Sequence, residues 1–141
     1  MAATTRPKPF NAQVNPGTWL VLYVDDDSLN QTLVEMLLSQ KPEYKVLVAD
    51  DQEDVEQALE QEPCLPDIIL MDHQLANVTG AELIGWMRQQ YSPDLVFVLC
   101  TGRARTEAAA LAEDAHAACY LCKPYTMKDL MSVLARFGMP Q

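Results

Sequence analysis

The sequence predicts an α/β domain with an open, doubly wound parallel sheet, and three features lead there. Short apolar runs alternate five times with segments whose apolar residues fall at helical spacing. Runs such as Asp67-Ile-Ile-Leu-Met and Leu95-Val-Phe-Val-Leu are apolar throughout, as strands covered by helices on both faces require. Five such units in about 120 residues are too few for an eight-fold barrel, so an open sheet remains.

Residues 1–17 contain Pro7, Pro9 and Pro16 and little apolar periodicity, and they read as a flexible leader to one domain over 18–141. The first unit pairs Trp19 to Val24 with a helix marked by Leu29, Leu33, Met36 and Leu37, which stops before Pro42 because a residue preceding proline avoids helical geometry. The second pairs Tyr44 to Ala49 with Val55, Ala58 and Leu59. The third pairs Asp67 to Met71 with Leu83, Ile84 and Met87, and Thr79-Gly80-Ala81-Glu82 has the spacing of a capping box. The fourth pairs Leu95 to Cys100 with an alanine-rich helix around Glu107 to Ala112. The fifth pairs Ala118 to Cys122 with Met127, Leu130, Leu134 and Phe137.

The bulk composition narrows the function. A chain of 141 residues holds one domain with a real core. Its formal net charge is -10, and Arg6 and Lys8 are the only charges before Trp19, so the remainder carries -12. Phosphate backbones need clustered Lys and Arg, so nucleic acid is not expected as a direct partner. No apolar run approaches the roughly 20 residues that span a bilayer, and no apolar signal-peptide core is present, so no membrane association and a cytoplasmic location are expected. Cys64, Cys100, Cys119 and Cys122 read as buried structural thiols. The Cys119-x-x-Cys122 spacing is a weak redox or zinc signal, since residues three apart on a strand face opposite ways.

Ligands of open parallel sheets bind beyond the carboxyl ends of the strands. Here those ends are Asp25-Asp26-Asp27, Asp72, Thr101-Gly102 and Lys123-Pro124. Carboxylates brought within about 5 Å repel by about 3 kcal/mol per pair at an effective dielectric near 20, and Lys123 alone is too little compensation. A hard divalent cation with oxygen ligands is the natural complement, and Mg²⁺ suits few carboxylates with several waters. A phosphoryl group then finds its charge met by the cation, the Lys123 ammonium and the Thr101 hydroxyl, with Asp72 as nucleophile.

These segments resemble the receiver domain of two-component response regulators over about Trp19 to Phe137. Val24-Asp25-Asp26 is similar to the family's acidic pair, Leu70-Met71-Asp72 to its phosphoacceptor segment with Gly80 at the usual distance, Thr101 to its switch hydroxyl, and Lys123-Pro124 to its lysine motif. The resemblance implies a flavodoxin-like fold with strand order 2-1-3-4-5. It implies that Asp26 and Asp72 bind Mg²⁺ (or Mn²⁺) directly, with the Gln74 backbone carbonyl, and Asp25 largely through water. Tyr120 takes the aromatic switch position, and Gln74 and Arg103 take positions that tune phosphoryl lifetime. Phosphorylation in the family remodels the face made by the fourth helix, fifth strand and fifth helix. The partners implied are a histidine kinase or histidine phosphotransfer protein as donor and a downstream protein target, with a phosphorylation-dependent homodimer also within the family's range. No enzymatic turnover is implied beyond self-catalysed phosphoryl transfer and autodephosphorylation.

The match has departures. Ala76 stands where proline is usual and Thr79 where an acid or serine is usual, so a less rigid loop is expected after Asp72. His73 beside the acceptor is unusual and reads as an exposed loop side chain. Asp27-Ser28-Leu29-Asn30-Gln31 and Met71-Asp72-His73-Gln74 resemble receivers of hybrid kinases and phosphorelays, whereas Lys123-Pro124-Tyr125 resembles free-standing ones. Two rival readings remain at this stage. Asp25-Asp26-Asp27 and Thr101-Gly102-Arg103 are similar to the first two motifs of haloacid dehalogenase-type phosphatases, with Asp25 as nucleophile and Asp27 as general acid. The region after Lys123, with Asp129 as its single acid, lacks that superfamily's closing acidic pair. The other rival is a receiver that binds partners independently of phosphorylation.

Overall fold

The computed structural model describes residues 8–138. Within them lie the five expected strands, β1 (Trp19–Val24), β2 (Tyr44–Ala49), β3 (Ile68–Asp72), β4 (Phe97–Thr101) and β5 (Cys119–Cys122). All pairings are parallel and the order is β2-β1-β3-β4-β5, the flavodoxin-like arrangement. Six helices connect or flank them among the described residues: α1 (Asn11–Val14), α2 (Ser28–Ser39), α3 (Gln52–Glu60), α4 (Gly80–Gln90), α5 (Arg105–Asp114) and α6 (Met127–Ala135).

The apolar runs are buried on both sides, as expected of strands between two helical layers. On one face Leu22, Val24, Ile69, Met71, Phe97 and Leu99 meet α3, α4 and α5. On the other, Val21, Tyr23, Ile68, Leu70, Val98 and Cys100 meet α2 and α6. The register Val24↔Met71 puts the residues after β1 beside the end of β3, and Asp72↔Cys100 and Thr101↔Cys122 extend that edge across the sheet.

Four details differ from the sequence reading. The expected leader is anchored from residue 8 onward, while residues 1–7 lie outside the described residues, as do residues 139–141 of the expected domain. Phe10 bridges to Leu65, and the Asp67 carboxylate accepts from Ala12 N (2.8 Å), Asn11 Nδ2 (3.3 Å) and Leu20 N (2.8 Å). Lys8 Nζ donates to the carbonyls of Leu59 and Glu62 at the end of α3, both at 2.7 Å, where helix carbonyls lack partners. An acid just before a strand supplies this clasp, so periodicity could not disclose it.

The second difference is the rotation of α2. Val34 and Leu38 are buried, whereas Leu29 is 80% and Met36 61% exposed. Asn30 reaches Asp25, which turns the 30, 34, 38 row toward the sheet and leaves Leu29 and Met36 outside. Third, the Thr79 capping box is half formed. Its hydroxyl accepts from Glu82 N at 3.1 Å, but Glu82 Oε1 takes the Thr79 hydroxyl instead of its backbone N–H. A complete box forms instead at Thr126 and Asp129. Fourth, all the cysteines are free, yet only Cys64 and Cys100 are buried; Cys119 and Cys122 are half-buried because β5 is an edge strand.

Candidate functional site

Asp25, Asp72, Thr101 and Lys123 each stand at a strand end. Asp25 continues β1, and its amide still pairs with Ala49 O of β2 at 3.0 Å, so the carboxylate is carried on sheet backbone and fully buried. Asp72 ends β3 and is 6% exposed. Thr101 ends β4, and Lys123 follows β5 with its amide on Thr101 O at 2.8 Å. Carboxylate oxygens of Asp25, Asp26 and Asp72 all lie within 4.8 Å of one another, with Asp26 exposed. Lys123 Nζ bridges Asp25 Oδ2 (3.0 Å) and Asp72 Oδ1 (2.9 Å).

The two buried acids are held differently. Burial raises the Asp25 carboxyl, but hydrogen bonds from Tyr23, the Asp27 amide and Lys123 outweigh it and hold the group below its usual range. Burial also raises Asp72, and the neighbouring Asp25 charge adds to it. Lys123 and the Gln74 amide pull the other way without cancelling the rise. Lys123 is lowered by burial and raised more by its bonds to Asp72 and Asp25, so it stays charged. Asp72 is thus the acid that the fold leaves under-compensated.

A cleft of about 370 Å³ opens over Asp72, Gln74, Thr101, Arg103 and Lys123. Thr101 is buried, and its Oγ1 accepts from Arg103 N at 3.1 Å. Arg103 itself points to Glu107 at 3.3 Å and both are exposed, a contact worth little. His73, half-buried, lines the same cleft, and its backbone bonds Cys100 O and the amide of Gly80. Gln74 is exposed and bridges to Thr79 across the loop. Tyr120 is half-buried on β5, between the α3/α4/α5 core and a groove shared with Arg105, Ser132, Val133 and Arg136. It is the one expected residue that sits away from the carboxylates, on the adjoining face.

Asp27 caps α2, its Oδ1 accepting from Leu29 N at 2.8 Å, so its carboxylate is engaged as a helix cap. One Asp25 oxygen, Oδ2, already takes three donors, which ill suits a nucleophile. Neither feature favours the phosphatase reading. Sequence reasoning missed Tyr23, whose hydroxyl donates to Asp25 at 2.6 Å, and Asn30, which donates to the same oxygen at 3.2 Å. It also missed Gln31, which reaches the Asp25 carbonyl and Asp50. The signal for Tyr23 was present: two residues before Asp25 on a strand, it shares that residue's face.

A family model described as the response regulator receiver domain matches residues 21–135. The chain belongs to that family, a signalling domain. It is 37% identical over 91 residues to the transcriptional regulatory protein DegU of Brevibacillus brevis, covering 64% of this chain and 38% of DegU. It is 29% identical over 116 residues to the transcriptional regulatory protein BtsR of Escherichia coli K12, covering 82% of this chain and 46% of BtsR. The chain therefore spans less than half the length of these curated relatives. Its fold matches the chemotaxis response regulator CheY4 of Vibrio cholerae with a TM-score of 0.73 at 24% identity, over 85% of this chain and 98% of that one. The receiver domain of NtrX from Brucella abortus matches with a TM-score of 0.71 at 25% identity, over 83% and 96%. No helix among the described residues is long and apolar enough to cross a membrane.

Proposed function

We propose that this receiver domain accepts a phosphoryl group on Asp72 from a histidine kinase or histidine phosphotransfer protein and passes the signal on by protein contact. The observation that carries this reading is the convergence of Asp25, Asp26 and Asp72 within 4.8 Å, with Lys123 Nζ spanning the two buried acids. The donor set fits a hard divalent cation. It consists of carboxylate oxygens, one of them on the exposed Asp26, and Asp25 Oδ1 takes one hydrogen bond, from the Asp27 amide (2.9 Å), among the described residues. Asp25, Asp26, Asp72 and the Gln74 backbone carbonyl would hold Mg²⁺ or Mn²⁺, which when bound offsets phosphoryl charge.

The chain's own groups do the rest. An Asp72 carboxylate oxygen attacks phosphorus as the bond from phosphorus to the donor imidazole nitrogen breaks, and that nitrogen keeps the electron pair. The rise that burial and the Asp25 charge impose on Asp72 makes its anion more basic, and phosphorylation converts that carboxylate into an acyl phosphate whose charge lies on the phosphoryl oxygens. The Lys123 ammonium, which spans Asp25 and Asp72, can then follow the charge to a phosphoryl oxygen, and the Thr101 hydroxyl in the same cleft supplies a further hydrogen bond. Tyr120 and the α5, β5, α6 face carry the change outward, and Gln74 and Arg103 at the cleft mouth tune phosphoryl lifetime. The domain acts in the cytoplasm and turns over no substrate beyond its own phosphoryl transfer and autodephosphorylation.

Incubation with acetyl phosphate and Mg²⁺, followed by intact-mass measurement, tests the reading. The expected result is a gain of one phosphoryl mass that Asp72→Asn abolishes. Catalytic turnover lost in Asp25→Asn would instead establish the phosphatase, and neither adduct nor turnover would leave a binding module. Beryllofluoride with Mg²⁺ should shift the NMR signals of Thr101 and Tyr120; unmoved signals would contradict the switch.

A further inference from the structure

A column of buried polar groups stands beneath Asp25, and phosphoryl transfer makes no direct use of it. Tyr23 is 0% exposed on β1, and its hydroxyl donates to Asp25 Oδ2 at 2.6 Å. The hydroxyl of Tyr125 lies 3.2 Å from that of Tyr23, and the rings meet edge to face with centroids 6.3 Å apart. Tyr125 packs in the same core cluster as the buried Cys100 of β4, whose thiol turns to Val98 O at 3.9 Å. Since Tyr23 commits its single proton to Asp25, the Tyr125 hydroxyl is the donor to the Tyr23 oxygen.

Asp25 Oδ2 therefore receives Tyr23, Lys123 (3.0 Å) and Asn30 (3.2 Å), and Oδ1 receives the Asp27 amide (2.9 Å). The bonds to Oδ2 fix the carboxylate's rotation and leave Oδ1 the less occupied oxygen. Tyr125 follows Lys123 by two residues. The segment 123–125 is thus fastened to Asp25 at both ends, directly by the ammonium and indirectly through two hydroxyls. Phenylalanines would fill nearly the same space with no polar atom to satisfy, so the hydroxyls earn their desolvation only through these bonds.

We propose that Tyr23 and Tyr125 are positioning residues: their paired hydroxyls orient the Asp25 carboxylate and couple it to the segment that carries Lys123, and so set the site's affinity for a divalent cation. The consequence for cation affinity rests on the phosphoacceptor reading, whereas the hydroxyl bonds exist without it. Partners one bond removed from a metal ligand commonly change affinity on the order of tenfold when lost. Removing the Tyr23 hydroxyl breaks both links, and removing that of Tyr125 breaks one.

Mg²⁺ alone is titrated into the wild type, Tyr23→Phe, Tyr125→Phe and the double variant, with dissociation constants read from the amide NMR shifts of residues 25, 26 and 72. Tyr23→Phe is expected to weaken Mg²⁺ on the order of tenfold and Tyr125→Phe by about threefold, and the double variant should match Tyr23→Phe within about twofold because the relay is already cut. In cation-free buffer the wild type should also show a downfield, slowly exchanging hydroxyl proton that Tyr23→Phe removes. Dispersed amide spectra check that each variant folds. Unchanged affinity in Tyr23→Phe with only lowered thermal stability would reduce the pair to a core contact and overturn the inference. So would a cation-free spectrum lacking that proton. A wild type that binds no Mg²⁺ would overturn the cation reading itself and this inference with it, a result distinct from a wild type that binds and a variant that binds equally.

Discussion

Replacement of Gly80 by alanine puts the junction between the acceptor strand and α4 under direct strain. A Cβ at Gly80 would stand 2.2 Å from the Asp72 carbonyl oxygen, 3.1 Å from its carbonyl carbon and 3.2 Å from Met71 Cγ. The nearest neighbours belong to the backbone of a central strand and cannot turn aside. The start of α4 must back off by about 0.8 Å to reach even the 3.0 Å that real Cβ atoms respect. That movement stretches the Gly80 N to His73 O bond (2.9 Å) and lifts Leu83, Ile84 and Met87 from the sheet. Overpacking of this kind costs about 1–3 kcal/mol, and the better helix propensity of alanine returns less than about 1 kcal/mol. We expect a loss of about 2 kcal/mol, or roughly 6–8 °C in Tm for a domain of this size. Gly85→Ala is the control: the site is exposed, nothing lies within 4 Å of the added methyl, and the gain should be about 0.5–1 kcal/mol. Urea unfolding of both variants checks the pair. Equal midpoints for Gly80→Ala and the wild type, or the same sign of change in both variants, would refute the reasoning.

Other expectations follow from the charges and the clasp. Lys123→Ala leaves Asp25 and Asp72 buried without their shared cation, and in cation-free buffer the loss should reach about 2 kcal/mol or more, recovered in part by Mg²⁺; an unchanged urea midpoint would contradict this. Asp72 titrates above its ordinary value in the fold, so it weakens stability as pH rises from that value through the folded one, whereas Asp25, held low, contributes stability that is lost as pH falls through its folded value. Asp72→Asn should therefore be more stable than the wild type at neutral pH in chelator, with the gap closing below about pH 4; a wild type equally stable at pH 7 would oppose it. Asp67→Ala strands the amides of Ala12 and Leu20 and should cost about 1–3 kcal/mol, with faster hydrogen exchange at both amides as the local signature.

The fold was legible because it rests on period and punctuation. Continuous apolar runs such as Ile68 to Met71 identify doubly covered strands, and their ends carry the polar residues that the topology gathers on one edge. Strand limits moved by one or two residues, as at Phe97, where pairing with β3 and not hydropathy sets the start. What escaped depends on side chains whose roles arise from tertiary contacts. The rotation of α2 follows from Asn30 reaching Asp25, which no hydrophobic pattern encodes, so Leu29 and Met36 were assigned to the wrong side. Proline-rich composition suggested a loose leader, yet three bonds to Asp67 fasten residues 11, 12 and 20. Asp25, Asp26, Asp72, Thr101 and Lys123 were readable as a set because each stands at a strand terminus. Tyr23 and Tyr125 were missed: Tyr23 shares the face of Asp25 but looks like core in its apolar run until its hydroxyl is seen to have a partner, and Tyr125, in the loop after Pro124, meets Tyr23 only through a tertiary contact.

The account turns on which carboxylate carries the phosphoryl group. Borohydride reduces an acyl phosphate to an alcohol and leaves free carboxylates intact, so it marks the phosphorylated residue in place. After incubation with acetyl phosphate and Mg²⁺, quenching with borohydride and peptide mass mapping should locate the reduced side chain at position 72 alone, and omission of Mg²⁺ or the Asp72→Asn substitution should remove it. Reduction at position 25 or 26, or at no position despite a phosphorylated intact mass, would contradict it.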